Sequence, residues 1–176
     1  MKQKQFNWEI WLEDSERVER SFNFYLNKES IKTEKETSYL SKSHLKKAES
    51  NLKFINFLEE HNSFYDWIIV GRYYTIYHCA LALISKKGYS SKNHLATLCT
   101  LIKFYYDSLN KEDIKLVSIS SLEKKEVNYF VYAKEKRETA SYGVSEESNK
   151  NEAIDLKKKT IQFLNKTREI LEWKKS

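Results

Sequence analysis

Residues 68–88 read IIVGRYYTIYHCALALISKKG. The segment is apolar nearly all round, so it predicts a helix at the centre of a core rather than on its surface. Its apolar pattern begins near Tyr65, and Gly88 is placed to end the helix. Two residues do not belong in a purely structural core helix: Arg72 and His78. A buried charge is costly unless it is paired or opens into a wet cleft. Gly71, Thr75, His78, Ala82 and Ser85 step by four, three, four and three, a stripe of small residues containing one histidine. Such a stripe lets another backbone approach closely, from the same chain or from a second copy.

Helical periodicity extends outward on both sides. Upstream, Leu45, Ala48, Leu52, Ile55 and Leu58 form an amphipathic face from about residue 41, with Ser41 or Ser43 as the expected N-cap. Downstream, a third helix after Ser90-Ser91 carries Leu95, Leu98, Leu101, Ile102 and Tyr105. A fourth is expected from near Glu112 toward Tyr142, with Gly143 ending it and Ser118–Ser121 as a bend or break. A fifth, about 150–174, repeats Ile154, Ile161, Leu164 and Leu171. Residues 1–40 read as an N-terminal extension packing on this domain. Trp8, Trp11 and Leu12 suit a short helix there, and Phe22, Phe24 and Leu26 fit either strand or helix. Lys28–Ser38 is polar and reads as a loop, and no convincing strand pair is found. The expectation is an all-α chain: an up-and-down four-helix bundle with additional helices, residues 41–176, plus the extension.

Composition agrees with that class. The chain has 176 residues, no proline and three glycines, which disfavours turn-dense sandwiches and proline-rich linkers. One core of this size folds without a disulfide or metal staple. Cys79 and Cys99 lie in apolar surroundings and read as free thiols of a reducing compartment. No apolar run approaches the roughly 18 residues of a membrane span, and the N-terminus lacks an apolar signal region, so a cytoplasmic protein without membrane contact is expected. The net charge of +6 leans only weakly toward a polyanionic partner. The lysine runs at 157–159 and 174–175 suit solvated faces better than a nucleic-acid groove.

The chemistry of Arg72 and His78 fits phosphodiester cleavage. Histidine can accept and donate a proton near neutral pH. Arginine presents a planar fork to phosphate oxygens and keeps its charge. Six residues apart on a helix means about 9 Å along the axis and about 120° around it, so the two side chains do not stack on one face. Arg72, Thr75 and His78 can line one side of a cleft, the guanidinium swinging toward the imidazole. Two copies of the helix could instead share a cleft, an arrangement that also accounts for the small-residue stripe. The structural alternative is a histidine bonded to a carbonyl and an arginine reaching the surface.

The wider pattern resembles the HEPN superfamily. Arg72-x5-His78 lies within GRYYTIYHCALALISKKG and is followed by SSKNHLATL at 90–98. AESNLKFINFLEE at 48–60 is similar to the family's first core helix, and KRETASYG at 136–143 to the end of its fourth. The resemblance covers residues 41–174. It implies a helical bundle and a homodimer whose interface gathers Arg72 and His78 from both subunits. It further implies metal-independent cleavage of single-stranded RNA that leaves 2′,3′-cyclic phosphate ends. Family members often serve as toxins paired with a nucleotidyltransferase antitoxin, or in antiviral defence. Tyr73 stands where active members commonly carry a polar residue, and can hydrogen-bond or stack on a base.

The expected catalytic residues are therefore Arg72, for the scissile phosphate, and His78, for proton transfer. Tyr73, Thr75, His94 and Arg137 are the candidate RNA contacts, Arg137 lying with Thr139 and Tyr142 near the end of the fourth helix. His44 and His61 read as solvent-facing residues at helix ends. No metal or cofactor is expected, because no paired metal-ligand spacing and no glycine-rich phosphate loop occurs. The rival reading is a non-catalytic helical module that holds RNA, a nucleotide or a partner nucleotidyltransferase in the same cleft.

Overall fold

The computed structural model describes residues 7–61, 64–119 and 145–172. Among the described residues the chain is all-α apart from one two-stranded ribbon. In order, the elements are α1 (Ile10–Glu13), α2 (Ser15–Asn27), β1 (Ile31–Thr33), α3 (Thr37–Glu60) and α4 (Tyr65–Lys86). They continue with β2 (Tyr89–Ser91), α5 (His94–Tyr105), α6 (Lys111–Ile119) and α7 (Ser145–Glu172).

Helix α4 is the central element, as its composition predicts. Ile76, Cys79, Ala80, Ala82, Leu83 and Ile84 are all fully buried. By length and hydropathy Trp67–Lys86 does reach what a membrane span requires, contrary to the expectation from sequence. Two-thirds of that stretch is buried inside the protein, however, as in the core helix of a globular domain. Helix α3 runs antiparallel to it. Ile55 meets Gly71, His44 meets His78, and the Ser41 hydroxyl donates to the Ala82 carbonyl at 2.9 Å, so numbers fall on one helix as they rise on the other. Helix α7 closes a third side. Arg168 donates to Glu49 at 2.7 Å and Lys157 pairs with Glu59 at 3.0 Å, which sets α7 antiparallel to α3. Phe163 and Leu164 of α7 are buried in the core.

The chain departs from the expected boundaries at several points. Helix α3 starts at Thr37, four residues before Ser41, so Ser41 is no N-cap. Its hydroxyl is buried against α4 instead. The segment read as a polar loop contains β1, which pairs antiparallel with β2 in the register Ile31↔Ser91, Lys32↔Ser90 and Thr33↔Tyr89. Three-residue strands leave almost no period-two signal, which is why no strand pair was expected. Gly88, at φ 89°, makes the turn from α4 into β2, a conformation that favours glycine. Phe22, Phe24 and Leu26 lie on helix α2, because Val18 and Phe22, four residues apart, are the pair that is buried. The fourth helix is described only as α6, and its expected course to Tyr142 lies outside the described residues.

Residues before α3 share the core of the bundle. Trp11, Val18, Phe22 and Ile31 are buried together with α4 and α5 side chains. Phe22 sits edge-on to Tyr89 and Phe104, with ring centroids 5.2 and 5.7 Å away. The boundary expected at residue 40 therefore falls inside α3.

Candidate functional site

Arg72 and His78 leave α4 in different directions, as six-residue spacing requires. Arg72 has no exposed surface. Its guanidinium forms an ion pair with Glu59 near the end of α3. The other Glu59 oxygen takes Lys157 of α7 at 3.0 Å. One carboxylate thus bridges two cations from two helices. Arg72 Nε and Nη1 are buried and have no hydrogen-bond partner among the described residues. Burial lowers the Arg72 pKa, and Glu59 opposes that shift. The guanidinium does not swing toward the imidazole, because it is held by Glu59.

His78 lies beside α3 and is half-buried. Its Nδ1 is 3.1 Å from Nδ1 of His44, and the two rings meet edge to edge, with centroids 5.4 Å apart and 29° between their planes. His44 is therefore not the solvent-facing helix-end residue that the sequence suggested. The early start of α3 moves it into the helix interior, one turn from Ser41 and level with His78. Burial, the His44 ring and Lys47 together push the His78 pKa down to about 4. Burial also lowers that of His44. Both rings are neutral near pH 7.

The remaining candidates divide by burial. Tyr73 is buried in the core cluster, so its ring presents no free face to a base. Thr75 is fully buried, and its hydroxyl donates to the Gly71 carbonyl one turn back. His94 is the first residue of α5, with its ring 4.3 Å from Tyr77, which in turn neighbours His78 at 6.3 Å. Asn93 performs the capping there, accepting from the Ala96 amide at 2.9 Å. His61 is exposed at the end of α3, bonded to the Phe57 carbonyl. Arg137, Thr139 and Tyr142 lie outside the described residues.

The small-residue stripe is accounted for within one chain. A Cβ on Gly71 would lie 2.7 Å from Ile55 Cγ1, and Ala82 receives Ser41. The stripe exists to let α3 approach, and a second copy is not needed to explain it.

Sequence reading missed three features. His44 is the first. The second is Tyr74, 53% exposed, the neighbour of the aromatic residue singled out. With Trp67, 48% exposed, it shares the face of α4 that carries His78, at spacings of seven and four. The third is Lys47, exposed on α3 one turn from His44, whose charge acts on the His78 ring; Lys42 and Lys46 stand about 160° around the helix from His44. No signal within the sequence points to the first, because the register of α3 against α4 is a tertiary contact. Among the described residues, no three His, Cys, Asp or Glu side chains converge as a metal-ligand set.

Comparison with known proteins bears on this geometry. The family model described as HEPN domain matches residues 41–176. The chain is 31% identical over 127 residues to the protein named Putative toxin MJ0142 of Methanocaldococcus jannaschii, covering 72% of this chain and 78% of that protein. No solved structure matches the chain.

Proposed function

This chain belongs to the HEPN domain family, and on that premise we propose that it is a metal-independent ribonuclease of toxin or defence type. The observation that carries the reading is His78: a neutral imidazole on the α3–α4 seam, anchored through Nδ1 to His44. Both residues are half-buried and neither Nε2 is among the buried, unpartnered atoms of the described residues, and the reading has the His78 Nε2 meet the substrate. A neutral imidazole can take the proton of a ribose 2′-hydroxyl. That oxygen then attacks the adjacent phosphorus, and the 5′-oxygen leaves, giving a 2′,3′-cyclic phosphate. Lys47, whose charge acts on the His78 ring from α3, supplies positive charge beside the seam for the RNA backbone. Tyr74 and Trp67 offer exposed rings on which unpaired bases can stack.

Arg72 serves the scissile phosphate only if its guanidinium leaves Glu59. A second copy of the chain, docked over the exposed aromatic face of α4, would complete a cleft of the kind the family uses. The relative named as a toxin supports a toxin role, with a nucleotidyltransferase-type antitoxin as the expected partner.

One observation favours the rival reading of a non-catalytic binding module: Arg72 is fully buried and already ion-paired. Cleavage of labelled single-stranded RNA in EDTA separates the two. The ribonuclease reading requires that wild type cuts and that folded His78→Ala does not. Absence of cutting over a broad RNA panel, with retained RNA binding, establishes the module instead.

A further inference from the structure

Two stripes of side chains border one side of the α3–α4 seam. On α3, Lys47 and Phe54 stand seven residues apart and share a face. On α4, Trp67 and Tyr74 stand seven apart and share the face of His78. Lys47 acts on the His78 ring from α3, so the two faces look onto the same side. Ile55 lies against Gly71, and that register sets Phe54 between Trp67 and Tyr74 in height, across the seam from both. Phe54, Trp67 and Tyr74 are each about half exposed. Apolar residues exposed singly are ordinary, but three rings gathered along one seam make a binding surface. None of the residues just named is acidic, and Lys47 is exposed among them. Flat rings beside a positive charge, with no carboxylate between them to repel phosphate, suit an unpaired nucleic-acid strand.

The spacing along α4 fits such a strand. Tyr74 lies about 6 Å along the axis from His78, and Trp67 about 16 Å. Nucleotides of one strand repeat at about 3.4 Å when stacked, and at roughly twice that when drawn out. A drawn-out strand with a phosphate at His78 therefore brings its next base to Tyr74 and the following base between Phe54 and Trp67. We propose that this strip is a two-base subsite for unpaired RNA: Tyr74 stacks the base beside the phosphate at His78, and Phe54 and Trp67 clamp the base after it. The inference rests on the ribonuclease reading above for the place of that phosphate. Lys47 meets the backbone at the His78 end. Stacking uses the face of a base and not its edge, so the subsite accepts every base. It favours purines, whose larger rings cover more of each aromatic face.

The test measures binding of a mixed-sequence RNA strand of about eight nucleotides, 2′-O-methylated throughout so that it cannot be cut. Wild type, Phe54→Ala, Trp67→Ala and Tyr74→Ala are compared, with matched circular dichroism and melting temperature to establish folding. Each is then titrated with strands carrying one abasic nucleotide at each position in turn. Every variant should bind the intact strand roughly 5- to 150-fold more weakly, the loss of one stacked base. Wild type should lose a similar factor at two adjacent abasic positions. Tyr74→Ala should no longer respond to one of these positions, and Phe54→Ala and Trp67→Ala should no longer respond to the other, a coupling that a merely structural role would not produce. Variants that bind like wild type, abasic losses that persist unchanged in every variant, or wild type that binds no strand overturn the subsite. A variant that changes the molecular mass in light scattering and leaves RNA affinity unchanged also overturns it, and marks the strip as a contact between copies. If wild type shows the base couplings but never cuts the unmethylated strand, the two-base subsite stands and the ribonuclease reading falls.

Discussion

The Arg72 guanidinium is paired with the Glu59 carboxylate from a side chain that has no exposed surface. Glu59 also holds Lys157, so the pair joins α3, α4 and α7. Such a pair contributes little beyond what apolar packing would, but breaking it from one side strands a charge. Glu59→Ala should cost about 3–5 kcal/mol, because Arg72 is left buried and unpaired. Arg72→Met keeps the volume, removes the charge and leaves Glu59 with Lys157, so it should cost far less. Chemical denaturation of both variants checks the order. Equal costs would mean that Arg72 reaches water in solution.

The histidine pair makes stability depend on pH. His78 is held near 4 when folded and titrates near 6.5 in the unfolded chain. The unfolded state therefore binds more protons between those values, and stability present above about pH 6.5 falls as pH drops toward 4. His44 and Lys47 face the ring from α3 and Tyr77 neighbours it on α4, while His94 of α5 stacks on Tyr77. Melting curves over this range should show a flatter acid limb for His78→Gln than for wild type.

Gly71 sets the spacing of α3 and α4. Its added Cβ would lie 2.7 Å from Ile55 Cγ1 and 3.1 Å from Cδ1. Alanine gains about 1 kcal/mol of helix propensity. Overpacking costs about 1–3 kcal/mol, and Cγ1 is close to the backbone with little room to yield. Gly71→Ala should destabilise on balance. Adding Ile55→Ala, which removes both Cγ1 and Cδ1, should make the added methyl favourable, a coupling that a double-mutant cycle reads.

The segment before α3 should be indispensable. Trp11 is buried and its indole donates to Ser21 at 3.0 Å. Trp11→Ala should cost about 3–5 kcal/mol. Removing residues 1–36 uncovers Cys99, Tyr89 and Phe104, and should give a chain that no longer unfolds cooperatively by calorimetry. An unchanged melting temperature would show that the extension is accessory.

Burial pushes the Cys79 and Cys99 thiols up to about 12. Neither should react with an aromatic disulfide reagent at mildly alkaline pH in the native protein, and both should react once denatured. Fast native labelling of either would reveal local opening of α4 or α5.

Several of these features were open to a reading of the chain alone. The apolar run around Ile76–Ile84 specifies a central helix, because no other arrangement buries every face. The Gly88 stop, the all-α class and the family resemblance follow from local pattern. The strand pair did not, since Ile31–Thr33 and Tyr89–Ser91 are too short to show a period and pair across more than fifty residues. Nor did the start of α3, where Glu36 at the N-cap position makes no side-chain capping bond.

The sequence by itself determined where the polar residues of α4 stand around its axis, because helical spacing follows from residue numbers. Arg72 and His78 had to diverge by about 120° whatever packed around them. What each one meets was decided only by tertiary structure. A register between two antiparallel helices depends on the whole interface, here on Ile55 against Gly71 and Ser41 against Ala82. That register brings Glu59 to Arg72 and His44 to His78, and neither partner can be inferred from the spacing within one helix.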